Sequence, residues 1–343
     1  MIPIQNIYYL LCYAWNKLDE KDQVAVNIDR NTDLIDLLAK VLINSSTQLL
    51  KRGLERDYIA ITEERVGLKG KLEVSKSIKQ NSFQHLKAVC SYDEYSADII
   101  HNQILITTLY RLLRTDNLAA QLKDRLRKLL RRFPPIQMIE LKSSHFNRIR
   151  LHRNNRLYGF ILKVCELLFE NSLPSEEKGN LQFMDFTRNE KKMGTLFEEF
   201  VFRFYAIEMP ELVPHRDHIR WNFKSELKEE QSFLPLMKTD ITLRGAHPKV
   251  IIDTKYYQET MQSYYDTEKV KSGNLYQLFS YLLHQEDGTK ETLYTKGMLL
   301  YPTVQKELDL TYTYAKHEIQ VKTVNLNTNW IDIERRLKSI VSE

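Results

Sequence analysis

The hydrophobic positions of this chain follow two regimes: long stretches that repeat at helical spacing, and short ones that alternate or run unbroken as strands do. Residues 4–18 place Ile7, Leu10, Leu11, Ala14 and Leu18 on one helical face, with Tyr8, Tyr9 and Tyr13 widening it. Residues 33–50 repeat the pattern through Leu34, Leu37, Leu38, Val41, Leu42 and Leu49, and the two helices are expected to pack together. Residues 57–63 then alternate as a strand. Residues 65–71 form a basic turn flanked by Gly67 and Gly70, and residues 72–77 and 85–92 read as further strands. Helices return at 95–113, at 118–133 (closed by Pro134-Pro135) and at 154–170. The polar break at 173–180, which holds Glu176-Glu177, sets the expected domain boundary and gives domains 1–180 and 181–343. The second domain opens on a helix at 189–208 and a short strand at 218–223. A strand pair lies within 236–257, a helix at 273–284, strands at 293–301, 308–314 and 319–325, and a last helix at 330–341. This order predicts an α+β N-terminal domain followed by an α/β domain, a mixed sheet flanked by helices.

Composition changes little in that picture, but charge does. With 43% hydrophobic and 28% charged residues the 343-residue chain reads as an ordinary globular protein large enough for two domains. Its net charge of +5 is uneven: +7 up to Arg188 and −2 after it. The surplus can face nucleic acid or an acidic protein surface. The run from Lys123 to Arg132 is basic on one helical side, either as a solvated face or as a contact to DNA backbone. Cys12, Cys90 and Cys165 are too few and too scattered for a disulfide framework or a zinc site, which suits a reducing compartment. The apolar run 7–15 is too short to span a bilayer, so a cytoplasmic location without membrane contact is expected.

The strand pair carries the chemistry. Val250-Ile251-Ile252 is an unbroken β-branched run, as in a strand buried on both faces, and it ends in Asp253-Thr254-Lys255. Strand periodicity puts Asp253 and Lys255 on one side and turns Thr254 away, leaving its carbonyl available. Asp240 stands on the neighbouring strand. Two carboxylates beside a lysine can hold a hard cation such as Mg2+ with positions left for water and phosphate, which is what phosphodiester hydrolysis needs. A triplet of this kind is common by chance, so its neighbours matter. The preceding helix carries Glu198 and Glu199 among apolar residues, one of which should face the sheet, with Glu198 following Phe197. The following helix carries Gln277 and Tyr281, four apart and therefore on one face.

Asp240, Asp253-Thr254-Lys255, and Gln277 with Tyr281 resemble the PD-(D/E)xK nuclease signature, with Thr239 where the pattern has proline. The chain as a whole resembles the McrC family. The match runs through the opening 2–15, Lys51-Arg52-Gly53-Leu54-Glu55, Gly67-Leu68-Lys69-Gly70, Phe183-Met184-Asp185-Phe186, Arg188-Asn189-Glu190-Lys191, and Asn274-Leu275-Tyr276-Gln277. This resemblance implies an endonuclease of a modification-dependent restriction system, with Asp240, Asp253 and the Thr254 carbonyl as Mg2+ ligands. Lys255 would orient or activate the water, a neighbouring cation depressing its pKa. Glu198 and Gln277 would have supporting roles. The resemblance also implies a partner: an McrB-like AAA+ GTPase hexamer that binds the GTP and recognises DNA carrying modified cytosine. The N-terminal part would enter that ring and stimulate it, with residues 65–71 as the candidate tip. The ten glycines form no phosphate-binding G-x-x-x-x-G-K-[ST] loop, so GTP hydrolysis falls to the partner.

Other constellations are weaker. His215 and His218 lack further ligands nearby, and His145, His152 and Asn154-Asn155 have spacing unsuited to an H-N-H nuclease. Two alternatives to the restriction subunit stay open: a non-catalytic regulator of an AAA+ ring, and a stand-alone PD-(D/E)xK nuclease.

Overall fold

The structure, a computed structural model, describes residues 2–16, 33–149, 155–175, 179–224, 229–257, 262–264, 267–303 and 307–342. His152, Asn154, Glu176 and Glu177 lie outside the described residues. The chain forms two compact units, one of residues 33–184 and one that joins residues 1–32 to residues 185–343. This differs from a division at residue 180. The first helix, α1 (Ile4–Ala14), packs on the long helix of the second half and belongs to that unit, whereas the helix expected to pack with it belongs to the other. The reason is the breadth of its apolar surface. Leu10 and Tyr13 are fully buried in the same cluster as Phe197, Phe200 and Phe204, and the Tyr13 hydroxyl donates to Glu208 at 2.7 Å.

The unit of residues 33–184 is a helical cluster carrying a small sheet. Helix α2 (Leu34–Arg52) ends at Gly53, whose φ of +96° provides a left-handed stop that a residue with a Cβ resists. Strand β1 (Asp57–Arg65) pairs antiparallel with β3 (Ala88–Ser96), and the short β2 (Lys71–Leu72) pairs with β3 on its other edge. Residues 72–77, expected as a strand, are mostly helix α3 (Val74–Lys79). Only Leu72 stays in the sheet, because Ser77 is drawn into a turn, donating to Glu73 O and accepting from the Val89 N–H. Helices α5 (Ala120–Leu130) and α7 (Arg156–Glu170) pack on α2, α4 (Ile100–Leu113) packs on α5 and α7, and the short α6 (Ser143–Asn147) lies on α7. The expected linker at 173–180 is bounded by a hairpin, β4 (Ser172–Pro174) with β5 (Leu181–Phe183).

The second unit is built on one mixed sheet. Helix α8 (Glu190–Glu208) starts at Asn189, whose side chain accepts from the Lys192 N–H at 3.0 Å. Short strands β6 (Pro214–His215), β7 (His218–Ile219) and β8 (Met237–Lys238) follow, then β9 (Ile241–Leu243) and β10 (Val250–Thr254). After the small hairpin β11 (Gln262–Tyr264) and β12 (Thr267–Lys269) come α9 (Ser272–His284), α10 (Lys290–Leu293), β13 (Lys296–Thr303), β14 (Asp309–Tyr314), β15 (His317–Asn325) and α11 (Trp330–Ser342). The six-stranded order is β14-β15-β13-β10-β9-β6. Strand β10 is central, parallel to β13 and antiparallel to β9, and all five of its residues are buried. Its faces alternate. Val250 and Ile252 pack with α1, α8 and α11, while Ile251 packs with Leu278, Tyr281 and Leu282 of α9. The protein therefore combines helices with a mixed sheet covered on both faces, as the hydrophobic pattern predicts. All three cysteines are buried, and none is in a disulfide. Among the described residues no helix is long and apolar enough to cross a membrane.

Candidate active site

The register of the central strands creates the site. Ile252 pairs with Ile241 and Ile251 with Thr242, so one step past the last pair Asp253 stands opposite Asp240. Two carboxylates at directly opposed positions repel each other. Asp253 is also fully buried. Burial and the Asp240 charge together push its carboxyl up to about 7, against the opposing pull of Lys255.

The two acids are held differently. The Thr254 N–H donates to Asp240 Oδ2 at 2.8 Å and the Thr254 hydroxyl donates to the same oxygen at 2.9 Å. Thr254 is therefore more than the residue turned away from the site, because it fixes the Asp240 rotamer. Asp253 has no such help. Its Oδ2 lies 2.8 Å from Lys255 Nζ, without the alignment of a hydrogen bond, and its Oδ1 has no hydrogen-bond partner. A buried carboxylate left so incompletely satisfied is costly.

Lys255 is positioned by a directional chain. Its Nζ donates to Gln277 Oε1 at 3.0 Å, Gln277 Nε2 donates to Tyr281 Oη at 2.6 Å, and the Tyr281 hydroxyl donates to the Lys238 carbonyl at 2.9 Å. Because lysine only donates and the final carbonyl only accepts, the chain has one sense, and this fixes the orientation of the Gln277 amide. Burial would lower the Lys255 pKa, but Asp253 and Asp240 outweigh it and raise it. In the protein alone the ammonium therefore keeps its proton.

The pair on α8 separates cleanly. Glu199 is occupied by Arg203 Nε at 2.7 Å and Arg216 Nη2 at 2.6 Å. Glu198 touches Arg216 at 3.3 Å, and burial followed by the Asp240 charge raises its pKa. Glu198 is therefore the acid that feels the site. Arg216, which also lies over the Phe202 ring at 4.4 Å, was not legible from local spacing. Nor was the clamp that anchors the segment before Asp240. There the Thr239 hydroxyl accepts from the Asp217 N–H at 2.8 Å, and the Thr239 N–H donates to the Asp217 carbonyl at 3.0 Å. His215 and His218 are exposed on β6 and β7 and join no cluster.

The donor set suits a hard divalent cation. The open oxygens of Asp253 and the fixed carboxylate of Asp240 offer what Mg2+ usually takes, one or two carboxylates with water or phosphate completing its shell. Among the described residues no three His, Cys, Asp or Glu side chains form a cage by themselves.

Comparison with known proteins gives the family. Residues 5–302 match the model of the McrBC 5-methylcytosine restriction system component family. The chain is 35% identical over 343 residues, covering 100% of itself and 98% of the relative, to the type IV methyl-directed restriction enzyme EcoKMcrBC of Escherichia coli K12. Its fold is similar to a chain in the assembly of Thermococcus gammatolerans McrB AAA+ hexamers with bound McrC, with a TM-score of 0.58 and 20% identity over 99% of this chain and 76% of that one. With a family match across most of its length and a relative aligned nearly end to end, the chain belongs to the McrBC 5-methylcytosine restriction system components.

Proposed function

We propose that the chain is the DNA endonuclease subunit of a modification-dependent restriction complex, with a PD-(D/E)xK site at Asp240, Asp253 and Lys255. The observation that carries this reading is the buried, incompletely satisfied Asp253 carboxylate opposite Asp240 and beside a protonated lysine. Asp240, Asp253 and the Thr254 carbonyl would hold Mg2+, which supplies charge neutralisation at the phosphate and activation of water. The protein does the rest. Asp240 is pinned by Thr254 and so offers a fixed oxygen. Lys255, anchored through Gln277 and Tyr281, orients a water and places positive charge where the phosphate accumulates negative charge. Glu198, which touches Arg216 and feels the Asp240 charge, would serve a second water.

The reading extends to partners. The T. gammatolerans structure of similar fold is an assembly of McrB AAA+ hexamers with bound McrC, and the E. coli relative is a methyl-directed restriction enzyme. The present chain would likewise serve an AAA+ GTPase that binds the GTP and finds modified DNA. The basic tip at 65–71, with Val66 and Leu68 largely exposed, is the part suited to docking. The exposed basic side of α5 is suited to DNA backbone.

The test is cleavage of methylated and unmethylated DNA by the chain, with and without its AAA+ partner, GTP and Mg2+. Cutting that requires all four components and disappears in Asp253→Ala supports the reading. GTPase stimulation without any cutting would leave a regulator, and cutting by the chain alone would leave a stand-alone nuclease.

A further inference from the structure

One stripe of α9 links the candidate site to an aromatic cluster. Gln277 and Tyr281 are followed one turn later on the same helical side by His284. The His284 ring meets Trp221 edge-on with centroids 4.9 Å apart and Phe223 at 5.2 Å, while Trp221 and Phe223 are stacked at 5.2 Å and 30°. The cluster is held by main-chain bonds. The Asn222 N–H donates to His284 Nδ1 at 3.0 Å, and Trp221 Nε1 donates to the Pro235 carbonyl at 2.8 Å. The first of these makes Nδ1 an acceptor and places the imidazole proton on Nε2.

This cluster is rigid and yet open, since Phe223 is 53% exposed. It joins the site physically through the β7–β8 pair, because the Tyr281 hydroxyl that ends the Lys255 chain bonds the Lys238 carbonyl of β8. Exposed cations flank it, with the exposed carboxylates of Glu229, Glu230 and Asp287 farther along the same segments. Arg220, Lys224 and Lys238 are exposed, and residues 218–224, β8 and α9 contain no carboxylate. An aromatic surface flanked by exposed cations suits a nucleic-acid strand, with a base stacking on the ring while the cations meet phosphates.

We propose that Trp221, Phe223 and His284 form a stacking platform for a base of the DNA strand that passes through the candidate site, with Phe223 as the contacting ring. This rests on the nuclease reading and adds a substrate contact to it. The platform positions the strand and takes no part in the chemistry.

The test uses the full chain carrying Asp253→Asn to prevent cleavage, with fluorescein-labelled single-stranded and duplex oligonucleotides followed by anisotropy. Phe223→Ala should weaken single-strand binding roughly tenfold or more, the range of one lost base stack, and Phe223→Tyr should restore it. The slope of affinity against salt should stay unchanged in Phe223→Ala and fall in Arg220→Gln and Lys238→Gln, since only the latter remove phosphate contacts. Phe223→Leu, which keeps apolar cover but cannot stack, should bind as weakly as the alanine variant and guards against misfolding. Affinity within twofold of the parent for both Phe223→Ala and Phe223→Leu overturns the platform. If native protein with its partner still cuts DNA, the nuclease reading survives that result. If the native complex neither binds nor cuts DNA, both fail.

Discussion

At the scale of single residues, Asp253 governs the site because its charge is the least compensated. Its carboxyl is raised to about 7 from the ordinary carboxylate range. Between about pH 4 and pH 7 the unfolded chain loses this proton while the folded one keeps it, so folding stability falls as pH rises through that window and is flat above it. Asp253→Asn removes the effect. In chelator, the stability of the variant relative to the native protein should therefore increase from pH 4.5 to pH 7.5, by on the order of 1–3 kcal/mol, as read by denaturant titration at each pH. A constant difference across that range would mean that Asp253 is not a buried, charge-opposed acid. A divalent cation should reverse the balance by favouring the ionised form. Mg2+ at pH 8 should raise the melting temperature of the native protein and not that of Asp253→Asn. The two acids on α8 should also differ. Glu198→Gln should reduce cleavage at least tenfold with little loss of stability. Glu199→Gln should act mainly by releasing Arg203 and Arg216 and shift melting by a few degrees. Equal effects on cleavage would remove the distinction.

At the scale of elements, the site depends on how closely α9 lies on the sheet, since α9 supplies Gln277 and Tyr281. Gly297 of β13 sets that distance. A Cβ there would stand 2.8 Å from Leu282 Cδ1 and 3.1 Å from Leu278 Cγ, both in fully buried side chains of α9. Gly297→Ala should cost about 1–3 kcal/mol by overpacking. By lifting α9 it should also lower cleavage more than a surface substitution of equal destabilisation would. Calorimetry and initial rates on the purified variant check both parts, and an unchanged melting temperature would show that the helix sits farther from the strand. The elements were largely legible in advance. The helices at α1, α2, α5, α7, α8, α9 and α11 follow directly from the spacing of leucine, isoleucine and phenylalanine, since each buries one stripe. Residues 72–77 read as strand in the sequence because six residues carry too little periodicity to separate the two states, and the Ser77 bonds decide for helix.

At the scale of the whole molecule, the placement of α1 matters most. Leu10 and Tyr13 complete the core against α8, yet nearly two hundred residues of chain separate them from it. A fragment of residues 181–343 alone should be unstable or aggregate, because it exposes Phe197, Phe200 and Phe204. Adding residues 1–32 in trans or by fusion should restore a cooperative transition. Circular dichroism melts of the two forms decide the matter, and a well-folded 181–343 fragment would show that α1 is dispensable.

The sequence by itself determined most of the elements and the candidate site residues. Periodicity follows from which faces must be buried, and Asp240, Asp253, Lys255, Gln277 and Tyr281 stand out because acids and amides interrupt otherwise apolar strands and helices. Only the tertiary structure decided how those residues meet. Strand register sets Asp240 opposite Asp253. Arg216, from the connection between β6 and β7, distinguishes Glu198 from Glu199, and α1 packs on the helix and sheet it serves. These are contacts between residues far apart in sequence, and local spacing carries no information about which distant surface will cover a given face.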